Sequence, residues 1–182
     1  MASRAGVSGE VEARDATVST HADGAYESFF CCEFSRVTGS IALMLNDRAA
    51  AEDVAQEAFV RLYRHWRRVS RYEKPEAWVR RVAIRIAIGE IRKRQIRDRF
   101  VQADKEARSS VGSVDPDLVS ALTNLPAQQR AAIVLFYIED RPVQEIAHLL
   151  DCSSSTVRVH LHKGRRRLAA LLREEVAADV DR

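Results

Sequence analysis

The sequence predicts an all-α protein made of two small helical domains joined by a flexible linker. Glycine is scarce, at seven of 182 residues, and the strong helix formers Ala, Leu, Arg and Glu dominate. Apolar residues recur at helical spacing in both halves of the chain. Between the halves, residues 101–114 are rich in Gln, Asp, Lys, Ser and Gly, which is the composition of a linker.

The domain boundaries follow from where this periodicity starts and stops. We predict one domain over residues 25–100 and another over residues 115–173, with the linker at 101–114. Residues 1–24 are small and polar without periodicity, so a disordered N-terminal tail is expected there. Residues 174–182 are expected to form a C-terminal tail.

Three long helices are predicted in the first domain. The first carries apolar residues at helical spacing from Tyr26 to Ile41. Asp47 is placed to cap a second helix, whose apolar face ends at Trp66. Because Trp66 lies on that face, core packing is expected for it rather than stacking on a base. Pro75 opens the third helix, since its missing N–H is not needed at a helix start.

The second domain contains the pattern of a helix-turn-helix. A short helix is predicted at about Pro142–Leu150, with apolar residues on one face and a turn at Asp151 and Cys152. Either Ser153 or Ser154 can cap the next helix. That helix is expected to point Val157, Leu161 and Leu168 inward and to expose Arg158, His160, Lys163, Arg166 and Arg167. A helix with such a basic outer face suits the major groove of DNA.

Charge is strongly segregated along the chain, although the net charge is only +3. Residues 1–57 hold ten acidic and four basic side chains, and residues 61–100 hold fourteen basic and four acidic ones. Residues 115–151 hold six acidic and two basic side chains, whereas residues 152–173 hold six basic ones and no acid. Two basic blocks, each preceded by an acidic one, indicate two nucleic-acid contacts and two surfaces for other partners.

No metal, cofactor or membrane segment is predicted. No apolar run approaches the ~20 residues of a membrane span, so a cytoplasmic protein without membrane insertion is expected. The three cysteines form no CxxC pair, and we expect Cys31, Cys32 and Cys152 to be small apolar fillers. His160 and His162 are two apart on a helix and point to different sides, which makes a zinc site improbable.

The two halves carry the motifs of a known family. The run from Ala51 to Leu62, AEDVAQEAFVRL, resembles the AEDxxQExFxxLW signature of region 2 in the extracytoplasmic-function group of bacterial sigma-70 factors. The second half resembles region 4 of the same group in Leu125-Pro126, Glu145-Ile146-Ala147 and Ser155-Thr156-Val157-Arg158. Both signatures occur in the expected order with no third domain between them, which makes the match specific.

The resemblance implies an initiation subunit of RNA polymerase, with no catalytic residues of its own. Its implied partners are promoter DNA and core polymerase, contacted at the clamp and the flap. In the family, one helix docks on the clamp coiled coil of the largest subunit, and the matching residues here are Asp53, Gln56, Glu57, Arg61 and Arg64. The first three lie three and four apart and therefore share one helix face.

By the same resemblance, the loop 70–74 and the Pro75 helix read the minus-ten promoter element and hold the separated non-template strand. Capturing a single strand needs cations along the phosphates and a pocket or aromatic platform for an unstacked base. The residues expected to supply these features are Arg71, Tyr72, Lys74, Arg80, Arg81, Arg85 and Arg92.

The helix after the turn is expected to bind the minus-thirty-five element. Residues near its start should read base edges, and those further along should mostly meet phosphates. The full set of expected contacts is Ser154, Ser155, Thr156, Arg158, Val159, His160, Lys163, Arg166 and Arg167.

The chain departs from the family pattern at three positions. Arg85 stands where many members have Asn, and Gly89 stands where an Asp is common, so minus-ten specificity does not carry over. Asp151 occupies a turn position usually held by Gly. Because Asp tolerates a left-handed backbone better than most residues, the turn is expected to survive.

Two other classes of protein remain open from the sequence. One is a helix-turn-helix regulator whose N-terminal half senses a ligand or a partner, and the other is a generic helical interaction protein. A sigma factor should bind promoter DNA well only together with core polymerase, whereas a regulator should bind its operator alone. The family resemblance also implies an anti-sigma factor as a partner.

Overall fold

The computed structural model describes the backbone of residues 7–100 and 116–180 and the side chains of residues 24–97 and 117–173. The prediction of an all-α fold is confirmed, and no strand occurs in these ranges. The predicted linker, residues 101–114, lies outside the described residues. The helices are α1 (Val7–Leu45), α2 (Arg48–Val69), α3 (Pro75–Phe100), α4 (Pro116–Thr123), α5 (Ala127–Ile133), α6 (Val143–Leu150) and α7 (Ser154–Val180), with a π-helical turn (Val134–Ile138) directly after α5.

Helix α1 differs from the prediction at its start. Its backbone is helical from Val7, so the disordered tail expected up to residue 24 is not observed in the described part of that stretch. The tail was predicted because this stretch lacks apolar periodicity. Such periodicity indicates which residues pack against a core, and it does not decide whether the backbone is helical. Helix formation also depends on local propensity, and residues such as Glu12, Ala13 and Arg14 favour it without any apolar face.

The second half of α1 contains an apolar segment that was not expected from the sequence. Its segment Gly24–Leu45 has the length and composition of a membrane span, with a mean hydropathy of 1.2 in an 18-residue window. In the structure it packs against α2 and α3, with Val37, Ile41 and Met44 fully buried. It also holds Glu33 in a buried ion pair. The segment therefore serves as the central core helix of the N-terminal half.

Helix α2 begins where the sequence predicted. Asp47 adopts an extended backbone and its carboxylate accepts the Ala50 N–H at 3.0 Å, which satisfies one free donor of the first turn. The apolar face of α2 buries Leu62 and Trp66 against the aromatic side chains of α1. Tyr26 completes this cluster, because its hydroxyl donates to the Phe59 carbonyl oxygen at 2.9 Å.

The helix-turn-helix is confirmed as α6 and α7. Asp151 ends α6 in the left-handed conformation, at φ 57° and ψ 49°, as expected of an Asp in a Gly position. Of the two serines proposed as caps, Ser153 performs the role, because its Oγ accepts the Thr156 N–H at 3.1 Å. Val157 and Leu161 are buried against the rest of the C-terminal half.

The burial predicted for two cysteines was wrong. Cys31 and Cys32 are exposed on α1, because the aromatic residues beside them turn the opposite face of the helix toward α2.

The two halves pack against each other. We call α1–α3 the N-terminal unit and α4–α7, with the π-helical turn, the C-terminal unit. Helix α3 contacts α5 and α6, and α1 contacts α4, α5 and the π-helical turn. Buried apolar side chains of both units form one continuous core. The predicted linker thus connects two units that already share an interface.

Candidate nucleic-acid interface

The predicted polymerase-binding face of α2 is fully open to solvent. Asp53, Gln56, Glu57, Arg61 and Arg64 are all exposed. Within the set, Arg61 Nε donates to Glu57 Oε1 at 2.8 Å across one helical turn, and both side chains remain about half-exposed. The structure therefore presents the five residues as one continuous charged surface on a rigid helix.

That face also holds two apolar residues that the sequence reading missed. Val60 is 47% exposed and Tyr63 is 54% exposed. Val60 lies three and four residues after Glu57 and Gln56, which puts it on the same side of α2. Apolar residues at such positions are a signal for a protein partner, because the core of an interface excludes water around apolar anchors.

The loop before α3 keeps its three predicted contacts exposed. Arg71, Tyr72 and Lys74 all lie at the surface. Arg68 Nε donates to the Tyr72 hydroxyl at 2.6 Å, and the Arg68 guanidinium carbon lies 5.9 Å from the centre of the Tyr72 ring. Arg68 thus holds an aromatic platform beside a cation, which is the combination that an unstacked base requires. The spacing of four residues between Arg68 and Tyr72 is the feature of the sequence that could have indicated this contact.

The predicted cations of α3 do not share one environment. Arg92 is exposed as expected. Arg80 is buried, and its guanidinium binds Glu139 Oε2 at 2.6 Å and Glu33 Oε2 at 3.0 Å. The expectation that Arg80 meets a phosphate is therefore not matched by this conformation, because two carboxylates from different units occupy it.

Arg81 and Arg85 are also engaged, by a residue of the turn in the helix-turn-helix. Arg81 Nη2 lies 2.5 Å from Asp151 Oδ1, and Arg85 Nη2 lies 2.5 Å from Asp151 Oδ2. These three side chains remain roughly half-exposed. The two departures from the family pattern at positions 85 and 151 are thus direct partners in the structure.

The outer face of α7 carries the residues that were predicted to contact the minus-thirty-five element. Its first turn carries hydroxyl groups, since Ser153 Oγ lies 2.7 Å from Ser155 Oγ and 2.8 Å from Thr156 Oγ1. Ser154, Thr156 and His160 are partly buried, whereas the other predicted contacts are exposed: Ser155, Arg158, Val159, Lys163, Arg166 and Arg167. Val159 offers an apolar surface of the type that contacts a thymine methyl group.

His160 is held toward its neutral form. Burial lowers the pKa of His160 below its ordinary value, and the nearby Lys163 ammonium lowers the pKa further. A neutral imidazole can both donate and accept a hydrogen bond, whereas an imidazolium only donates. At neutral pH, His160 is therefore suited to contact a base edge rather than to act as another phosphate cation.

Arg130 joins the two units from the C-terminal side. It is 4% exposed and donates to the Met44 carbonyl oxygen at 2.7 Å, in the last turn of α1, and also to the carbonyl oxygens of Thr123 and Leu125. Burial lowers the pKa of Arg130 to about 10, with a further contribution from Arg94. The group stays protonated at neutral pH and neutralises the negative end of α1.

No candidate metal centre accompanies these surfaces. Across the described residues, His, Cys, Asp and Glu side chains do not gather in any group of three that could hold a metal ion.

Burial raises the pKa of the Cys152 thiol, and the neighbouring Asp151 carboxylate raises the pKa further. Cys152 is therefore protonated at neutral pH.

Comparison with known proteins assigns both units. Residues 35–97 match the Sigma-70 region 2 family, and residues 117–168 match the family Sigma-70, region 4. Over 150 residues the chain is 30% identical to the ECF RNA polymerase sigma factor SigW of Bacillus subtilis (strain 168), an alignment that covers 72% of this chain and 80% of SigW.

A second relative and a solved structure extend the comparison. The ECF RNA polymerase sigma factor SigE of Mycolicibacterium smegmatis is 31% identical over 170 residues, which cover 85% of this chain and 59% of SigE. The fold also resembles the sigma factor RpoE from Bartonella quintana, solved in complex with the anti-sigma factor NepR, with a TM-score of 0.62, 21% identity and coverage of 82% of this chain and 97% of RpoE. The chain therefore belongs to the extracytoplasmic-function group of the sigma-70 family and is an RNA polymerase sigma factor.

Proposed function

We propose that this sigma factor uses three separate surfaces to direct core polymerase to promoters. The exposed face of α2 binds the polymerase clamp, the loop 70–74 with α3 binds the minus-ten element, and the outer face of α7 binds the minus-thirty-five element. The observation that carries the proposal is the exposure of the complete charged set on α2 together with an intact helix-turn-helix. In this assignment the domains are residues 25–100 and 115–173.

The proposal treats the protein as a binding subunit that performs no reaction. The protein positions polymerase, and its proposed surfaces consist of charged and aromatic groups suited to binding protein and nucleic acid. We place the protein in the cytoplasm, where core polymerase and chromosomal DNA are found. An anti-sigma factor is a further proposed partner, supported by the complex in which the related fold of RpoE was solved.

Transcription with purified components tests the proposal. The protein and core polymerase should together initiate from a promoter that has both elements, and neither should do so alone. A gel shift with and without core polymerase separates the main alternative, because a helix-turn-helix regulator would bind its operator without polymerase. Specific binding by the isolated chain at full strength, with no effect of core polymerase, would favour the regulator.

Two arginines of α7 should contribute differently to promoter binding. Arg158 lies in the second turn, near the hydroxyl cluster, whereas Arg167 lies two to three turns further along. We expect Arg158→Ala to change the preference among minus-thirty-five sequences by ~1–3 kcal/mol, because it removes a contact to a base edge. Arg167→Ala should weaken all sequences alike and lower the salt slope by about one.

The measurement is binding of the polymerase complex to a set of promoters that vary only at the minus-thirty-five element, at several salt concentrations. The two variants carry the same substitution on the same helix, so each is the matched control of the other. Identical sequence profiles for both would show that α7 does not divide base and phosphate contacts in this way.

A further inference from the structure

Asp151 binds two arginines of the other unit at the same time. Its two carboxylate oxygens are used separately, Oδ1 by Arg81 and Oδ2 by Arg85, each at 2.5 Å. The arginines lie four residues apart on α3 and therefore on one helix face. Their guanidinium groups form a site for an anion with at least two oxygen atoms, and in this structure that anion is a side chain of the protein.

A phosphate of the DNA backbone has the same recognition chemistry. Guanidinium groups bind carboxylates and phosphates through the same parallel N–H···O geometry. Arg81 and Arg85 are two of the cations assigned above to the minus-ten strand. A carboxylate between them occupies the positions that phosphate oxygens would need, so Asp151 and the DNA backbone cannot use this pair of arginines together.

Other contacts between the units hold Asp151 at this position. Arg80 bridges Glu33 and Glu139 inside the interface, Arg130 reaches the Met44 carbonyl oxygen at 2.7 Å, and the side chain of Gln95 donates to the Leu125 carbonyl oxygen at 3.3 Å. None of them involves Asp151. An intramolecular ligand held in this way acts at a high effective concentration, even where its own contacts are weak.

We propose that Asp151 is an internal competitor for the DNA phosphates that Arg81 and Arg85 bind, and that it lowers the affinity of the free protein for the minus-ten strand. The inference rests on the proposed function of α3. The polymerase face on α2 and the basic face of α7 stay exposed in the same arrangement. The free protein can therefore meet polymerase while Arg81 and Arg85 are occupied by Asp151, and the melted strand displaces Asp151 from them afterwards.

Binding of a short, fluorescently labelled single-stranded DNA with a minus-ten sequence tests the inference on the full chain without polymerase. Asp151→Asn keeps the shape of the side chain and the left-handed backbone but removes the charge. At low salt, of about 50 mM, we expect it to bind the DNA about three- to tenfold more tightly than the wild type, and the gain should shrink as salt screens the exposed pair.

Asp140→Asn is the matched control. Asp140 is also exposed and left-handed, at φ 51°, and it forms no ion pair with any of the described side chains. It should leave the affinity close to that of the wild type, because only the overall charge changes. In a background of Arg81→Gln with Arg85→Gln, Asp151→Asn should give no gain. Circular dichroism of each variant checks that the fold is kept.

The outcomes separate the inference from the proposed function. If the wild type initiates transcription with core polymerase but Asp151→Asn binds the single strand no better than Asp140→Asn, internal competition is excluded and the sigma-factor surfaces stand. The same holds if the gain persists without the two arginines. If the wild type fails to initiate but Asp151→Asn still gains affinity through the arginines, the competition is real and the assignment of the surfaces is wrong.

Discussion

Arg80→Met is expected to separate the two units while each of them stays folded. Arg80 is 8% exposed as a side chain, and Glu33 and Glu139 are 11% exposed, so the substitution removes the buried cation that the two carboxylates share and leaves them only their more exposed partners, Arg36 and Arg141. Removing one partner of a buried ion pair costs up to about 3–5 kcal/mol. Because Glu33 belongs to α1 and Glu139 follows the π-helical turn, moving the units apart returns both carboxylates to water.

Small-angle X-ray scattering should detect the change as a larger radius of gyration, while circular dichroism should show unchanged helix content. Arg85→Met is the matched control, since Arg85 also pairs across the interface but its side chain is 55% exposed. An exposed pair contributes at most about 1 kcal/mol, so the control should stay compact. Adding Glu33→Gln and Glu139→Gln to Arg80→Met should restore part of the compactness, because no buried carboxylate then lacks its cation. A compact Arg80→Met variant would show that the apolar packing and the other contacts between the units hold them together without Arg80.

Asp53→Lys combined with Glu57→Lys should abolish co-purification with core polymerase. Both residues are exposed on α2, and reversing their charge would place like charges against a partner surface that pairs with the two carboxylates in the proposed contact. We expect the affinity to fall by at least about a hundredfold, since like-charge contacts across an interface cost several kcal/mol and each 1.4 kcal/mol is a factor of about ten. Stability should change little, because the Glu57–Arg61 pair is solvent-exposed.

The matched control is Glu27→Lys combined with Glu90→Lys, which makes the same change in net charge. Glu27 is exposed on α1, and Glu90 lies on α3, where it pairs with Lys93 at 2.7 Å, so neither belongs to the predicted polymerase-binding face of α2. This variant should be pulled down with core polymerase nearly as well as the wild type. Equal retention of both double variants would remove α2 from the polymerase contact, and equal loss would indicate a general effect of charge.

Helices and most core positions could be predicted from the sequence because they depend on local patterns. Asp47 before an apolar period indicated the start of α2, and the structure confirms it as the N-cap. The turn at Asp151 was predicted from the helix-turn-helix pattern, and the conformational tolerance of Asp indicated that it would survive without a Gly. The π-helical turn at Val134–Ile138 could not be predicted, because it leaves no clear mark in the spacing of apolar residues.

The interface between the units was not predictable because its polar members look like ordinary surface charges. Arg80 stands beside Arg81 in a basic helix, and Glu139 stands beside Asp140 at a helix end. Nothing in the spacing shows that Arg80 and Glu139, which are 59 positions apart, form a buried pair. The alternation of basic and acidic blocks did carry the information. Each acidic block is predicted above to be a surface for another partner, but the block 115–151 supplies Glu139 and Asp151 to the basic helix of the same chain.

Because Asp151 has a left-handed backbone, a single substitution can remove its carboxylate without changing the turn. A single substitution to Gly would keep the turn, because Gly adopts φ 57° without steric cost, and would remove the carboxylate from Arg81 and Arg85. The reverse substitution would add the carboxylate with little strain, since Asp is among the residues that tolerate this conformation. A single substitution at this turn would therefore remove or add the proposed internal competition, without disturbing α3 or α7.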